Sequence, residues 1–150
     1  MQTKFLALLA ALFSVNATAQ VVWKMEGGDV TKNGDTYVIR GQSGGDDFPR
    51  LIYVLPASCA GKKFTLSAEY KATGVKGGTA SYHGPHFDFE IMAGGKQKWA
   101  PDFKQGSSDE FRSVKREWVF PPNMTDGAVR IGLQGVDGEM HVKNLQSSGC

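Results

Sequence analysis

At 150 residues, with 19 glycines and 6 prolines, the chain is too short for a (β/α)8 barrel of roughly 250 residues. Its glycine and proline content suits short strands joined by turns better than helices. Lys and Arg number 17 against 15 Asp and Glu, a formal net charge of +2, which gives no electrostatic case for a nucleic-acid partner.

Residues 1–19 read as a secretory signal peptide. Lys4 supplies the positive start, residues 5–15 are apolar apart from Ser14, and Ala17-Thr18-Ala19 sets a small-x-small pattern before Gln20. The apolar run falls short of the roughly 20 residues that span a bilayer. No cysteine follows the cleavage position, so a lipoprotein anchor is not expected. The expected product is a secreted or periplasmic protein whose single domain occupies residues 20–150, large enough to bury a core without metal support.

Beyond residue 20 no segment sustains a 3.6-residue apolar period, whereas two-residue alternation recurs. A first strand is expected from Val21-Val22-Trp23. A second covers residues 36–40 after the turn signal Lys32-Asn33-Gly34-Asp35, and a third covers 51–55, closed by Pro56. Residues 63–71 alternate most cleanly: Phe64, Leu66, Ala68 and Tyr70 face one way, Thr65, Ser67, Glu69 and Lys71 the other. Strands follow over 86–92, with Phe87, Phe89 and Ile91 apolar, over 113–120, ended by Pro121-Pro122, and over 128–134, with Val129, Ile131 and Leu133 apolar. The last covers 140–145 after the Asp137-Gly138 turn. Eight strands with one apolar face each predict an all-β fold, a two-sheet antiparallel β-sandwich of the jelly-roll kind.

The two cysteines are Cys59 and Cys150. Export makes a bond between them plausible, and closing a loop of roughly 90 residues is worth about 4–5 kcal/mol in chain entropy before strain. The alternatives are a buried free Cys59 with a loose terminal thiol, or an intermolecular bond through Cys150.

Three segments carry a family resemblance. The run Gly61-Lys62-Lys63-Phe64-Thr65-Leu66-Ser67-Ala68-Glu69-Tyr70-Lys71-Ala72 is a turn followed by an alternating strand. Arg116-Glu117-Trp118-Val119-Phe120-Pro121 is an aromatic strand ending in proline. Ile131-Gly132-Leu133-Gln134 through Gly138-Glu139-Met140-His141-Val142-Lys143-Asn144-Leu145 is a closing hairpin. In this order they resemble the carbohydrate-binding modules found beside bacterial xylanases and cellulases, which share the galactose-binding-like jelly roll. The resemblance implies a non-catalytic polysaccharide- or oligosaccharide-binding domain. Family members usually carry Asp where this chain has Lys143, a position associated with structural calcium. An ammonium cannot replace a carboxylate around Ca²⁺, so no cofactor is expected, although Glu26, Asp46, Asp47 and Asp137 could supply oxygens.

Sugar binding needs flat apolar platforms for pyranose faces and polar side chains for hydroxyls. Trp99, in the polar, glycine-rich stretch 94–101, is the leading platform, its alternative role being a lid over an open end of the core. Tyr82, in Ser81-Tyr82-His83-Gly84-Pro85, is the second. Trp118 reads as core, and Trp23 as core or a staple at its edge. His86, Asp88 and Glu90 alternate with the apolar positions of their strand, as do Arg130 and Gln134 on theirs. If the two strands are neighbours, these five form a polar strip; otherwise they are an ordinary solvated face. Arg50 could join from a loop.

His83, His86, Asp88 and Glu90 also raise metal binding, but His-x-x-His across a loop and a strand is not a ligand spacing and His141 is distant. Asp88 and Glu90 lie about 6–7 Å apart by strand rise, near the spacing of glycosidase carboxylate pairs. There is no Gly-x-Ser-x-Gly elbow. Asn123-Met124-Thr125 fits the N-glycosylation pattern. The expectation is a secreted, non-catalytic carbohydrate-binding module acting alone as a monomer. The alternatives are a small secreted glycan-active hydrolase using Asp88 and Glu90, and a surface adhesion or structural module that binds protein.

Overall fold

The computed structural model describes residues 22–44, 47–102 and 104–150; the expected signal peptide and Val21 lie outside them. Among the described residues are ten strands: β1 (Lys24–Glu26), β2 (Asp29–Asn33), β3 (Thr36–Gly41), β4 (Arg50–Leu55), β5 (Lys63–Lys76), β6 (Gly84–Ala93), β7 (Lys96–Trp99), β8 (Ser108–Val119), β9 (Met124–Gln134) and β10 (Asp137–Gly149). A 3-10 turn at Ala57–Cys59 follows β4. The strands form two five-stranded antiparallel sheets, ordered β1-β4-β9-β6-β7 and β2-β3-β10-β5-β8. The expected β-sandwich is present, with ten strands in place of eight.

The added strands, β2 and β7, lie at sheet edges and are almost wholly exposed. Neither buries a full face, so neither shows the apolar alternation by which the others are legible. Each pairs with its neighbour as a hairpin. Gly94 and Gly95 join β6 to β7 with φ of 58° and 71°, the two positive values that a tight type I′ turn demands. The first strand starts at Lys24, after Trp23, and pairs with β4 in the register Lys24 to Ile52.

The core lies between the sheets. Leu51 and Leu55 of β4, Phe87 and Ile91 of β6, and Val129, Ile131 and Leu133 of β9 meet Ile39, Phe64, Leu66, Tyr70, Met140 and Val142 from the other sheet. Each such side chain, fully buried, contributes about 1.5–3 kcal/mol. Phe64 stacks on Trp118, and Phe89 meets Trp118 edge-on with ring centres 5.3 Å apart. Trp118 is core, and Trp23 packs against its margin beside Tyr53. Cys59 and Cys150 form an internal disulfide with Cα atoms 4.8 Å apart, and Cys59 is fully buried. The bond ties the turn after β4 to the end of β10, which excludes the free-thiol and intermolecular alternatives for these sulfurs.

Candidate ligand-binding cleft

Strand alternation turns Phe87, Phe89 and Ile91 of β6 inward and leaves His86, Asp88 and Glu90 on the outer face of the first sheet. The same rule places Arg130 and Gln134 outward on β9. Antiparallel register then sets Asp88 opposite Arg130. On the other side of β6, Glu90 is opposite Trp99. The strip expected from sequence is therefore assembled by adjacent strands, with Trp99 alongside it. Trp99 belongs to β7 rather than to a loop, and at 53% exposure it stands on the sheet face rather than over an end of the core.

Tyr82, His86, Asp88, Trp99, Arg130 and Gln134 line one cleft of about 450 Å³. Tyr82 is 45% exposed. The cleft thus has two accessible aromatic rings and a polar floor. A second depression of about 300 Å³ lies across Arg130 and Glu90, lined among others by Arg50, Ile52, Val54, Met92 and Gln97. Arg50 belongs to this second depression. Its guanidinium donates to the Phe48 carbonyl and pairs with Glu26.

The strip is not an ordinary solvated face. His86 and Asp88 are each only 2% exposed. Phe48 explains much of this. Its ring lies 5.2 Å from the His86 ring centre, with the Arg130 and Arg50 guanidinium carbons 5.3 and 5.2 Å from its own centre. A buried aromatic therefore covers one end of the polar floor and is held by two cations. Sequence reasoning missed Phe48, because an aromatic in a connecting segment carries no periodic signal.

A hydrogen-bonded network organises the floor. Arg130 donates from Nε to Asp88 Oδ1 at 3.0 Å and from Nη2 to Asp88 Oδ2 at 2.8 Å, while its Nη1 donates to Glu90. Such a two-point grip is strong and directional. His86 Nδ1 lies 3.3 Å from Asp88 Oδ2, and its Nε2 lies 2.5 Å from the Tyr82 carbonyl oxygen. Burial alone would raise the Asp88 carboxyl above its ordinary range. Hydrogen bonds from His86 and Arg130 and their charges outweigh burial and hold it below.

The fold can be set beside known structures on this geometry. No family model matches the chain, and no curated protein matches it significantly. Solved structures do match. The CBM22-1 xylan-binding domain of Paenibacillus barcinonensis Xyn10C superposes with a TM-score of 0.57 at 14% identity, covering 83% of this chain and 83% of that one. The C-terminal family 22 carbohydrate binding module of Clostridium thermocellum Xyn10B gives 0.56 at 13% identity, covering 87% and 82%. A CBM4 structure gives 0.55 at 11% identity, covering 84% and 78%.

The fold resembles that of these carbohydrate-binding modules.

Within this fold, the remaining chemistry-bearing residues lie apart from the cleft floor. His83 Nδ1 accepts from the backbone N–H groups of Thr79 and Ala80, and His141 pairs with Glu139 on the other sheet. Of the oxygens considered for calcium, Glu26 pairs with Arg50, Asp137 accepts from the Ser43 N–H and hydroxyl, and Asp46 lies outside the described residues. Among the described residues no three His, Cys, Asp or Glu side chains converge on a metal position. Lys143 rests its ammonium 4.1 Å from the Phe111 ring centre, both residues belonging to the second sheet. Asn123 is exposed in the turn between β8 and β9. No helix among these residues is long and apolar enough to cross a membrane.

Proposed function

We propose that the protein is a secreted, non-catalytic carbohydrate-binding domain that takes a polysaccharide or oligosaccharide in the cleft between Tyr82 and Trp99. One observation carries the reading: two exposed aromatic residues line a single cleft together with organised polar side chains. Aromatic faces accept the C–H side of a pyranose, and Gln134 offers a hydroxyl partner in the same cleft. Arg130 fixes the carboxylates in place. The module fold supports the same class of ligand. Since one similar structure is a xylan-binding domain, xylan is the first ligand to try. Export agrees with the internal disulfide.

The hydrolase reading is weaker. A general acid must keep its proton until the leaving group needs it. Asp88 is held ionised by Arg130 and His86, and Glu90 is bonded to the same guanidinium. A salt-bridged carboxylate pair suits recognition better than proton transfer. Affinity electrophoresis on soluble xylan, β-glucan, mannan and pectin tests the proposal. Retardation on at least one of these, lost in Trp99→Ala, is expected. Unretarded migration of the wild-type chain on all of them would overturn it.

A further inference from the structure

The segment between β5 and β6, residues 77–83, carries Tyr82 and is pinned at several points. His83 gathers the Thr79 and Ala80 N–H groups on its Nδ1 at 3.0 and 3.3 Å, and the His83 N–H returns to the Ala80 carbonyl at 3.0 Å. Lys104 reaches the Ser81 carbonyl at 3.4 Å. His86 Nε2 meets the Tyr82 carbonyl at 2.5 Å. A carbonyl oxygen only accepts, so Nε2 carries the proton in this bond. Gly135 lies under the His83 ring; a Cβ there would fall 2.6 Å from His83 Cδ2, so the segment also packs tightly on the turn after β9.

The His86 bond differs from the others in what stands behind it. His86 is buried, its other ring nitrogen faces Asp88, and Asp88 is gripped by Arg130 on the adjacent strand. The Tyr82 backbone is therefore tied through His86 and Asp88 to the sheet that carries Trp99. We infer that His86 is a positioning residue. By hydrogen-bonding the Tyr82 carbonyl it holds the Tyr82 ring at a fixed place across the cleft from Trp99, so the binding wall is preformed rather than ordered by the ligand. Ordering a loop on binding subtracts from affinity, and a loop already fixed avoids that loss. The affinity part of this inference rests on the reading of the cleft as a glycan site; the anchoring part does not.

The two side-chain amides separate the ring nitrogens. In His86→Gln the amide reaches the position of Nε2 and keeps a donor for the Tyr82 carbonyl. In His86→Asn the shorter side chain reaches only the Nδ1 position, facing Asp88, and the carbonyl is left without its donor. Hydrogen exchange of the free protein is read at the amides of Thr79, Ala80 and His83. Loss of one hydrogen bond predicts exchange about tenfold faster in His86→Asn than in His86→Gln, with the amides of β9 unchanged. Gly135→Ala, which pushes on His83 from below, is expected to speed the same amides. On soluble xylan, His86→Asn is expected to bind about tenfold more weakly than His86→Gln, with no further loss when the change is made in Tyr82→Ala.

Equal exchange at these amides in the Asn and Gln variants would overturn the anchor, whatever the xylan result. A full affinity loss for His86→Asn in the Tyr82→Ala background would overturn its action through Tyr82. A wild-type chain that ignores xylan counts against xylan as the ligand, and the exchange comparison then decides the anchor alone.

Discussion

Arg130 holds Asp88 by two hydrogen bonds across the β6–β9 register, Nε to Oδ1 at 3.0 Å and Nη2 to Oδ2 at 2.8 Å. The carboxylate is 2% exposed and the guanidinium side chain 14%. Removing the cation leaves a buried carboxylate with the His86 ring nitrogen 3.3 Å away. Arg130→Met is therefore expected to destabilise the fold by about 3–5 kcal/mol. Asp88→Asn in the same chain should restore part of the loss. Urea unfolding of the two single variants and the double variant measures the coupling, and purely additive losses would mean that the pair does not act as a unit.

The pH dependence of this pair has a definite sign. The Asp88 carboxyl is lowered from its ordinary value of 3.8. A lowered folded-state value adds stability that is fully present above the unfolded value and is lost as pH falls through the folded one. The stability gap between wild type and Asp88→Asn should thus be constant above the ordinary value of 3.8 and close below it. Denaturant midpoints at about pH 7, 4 and 2 would follow the gap, and one that persists unchanged to the lowest pH contradicts the lowering.

Two tryptophans should respond in opposite ways. Trp118 is 7% exposed and packed on Phe64 and Phe89, so Trp118→Ala should cost about 3–5 kcal/mol of stability. Trp99 is more than half exposed, so Trp99→Ala should leave the thermal midpoint nearly unchanged. Its expected effect is on glycan affinity, a loss of order 1 kcal/mol or more for the stacking contact. Thermal melts and affinity electrophoresis on the same preparations separate the two effects.

The disulfide closes most of the chain between Cys59 and Cys150. Cys59→Ser with Cys150→Ser is expected to lower stability by about 2–5 kcal/mol. Wild-type protein treated with reductant in mild denaturant should approach the variant's midpoint. Identical midpoints with and without the bond would show that the loop constraint contributes nothing.

Much of the sandwich was legible because burial on one side of a strand imposes a two-residue period. Residues 63–71 and 128–134 revealed their inner faces by that period alone. Strands β2 and β7 were missed for the converse reason: an edge strand with both faces exposed keeps no apolar alternation. Trp99 consequently read as a loop residue, although the Gly94-Gly95 pair that turns β6 back into β7 stands in the sequence. The outward direction of His86, Asp88 and Glu90 was equally readable. The burial of His86 and Asp88 was not, because Phe48 packs against the His86 ring from a connection far away in the chain.

By itself, the sequence determined which side chains point into the core and which point out, since alternation is a local property of an extended chain. It also bounded the pairing of the cysteines to a short set of alternatives. Only the tertiary structure decided which strands are neighbours, and with that the Arg130 grip on Asp88 across 42 residues of chain. It decided as well that Tyr82 and Trp99 share one cleft and that Cys59 bonds Cys150. These are long-range pairings, set by how two sheets bury their apolar faces against each other, and no periodicity along the chain encodes a partner.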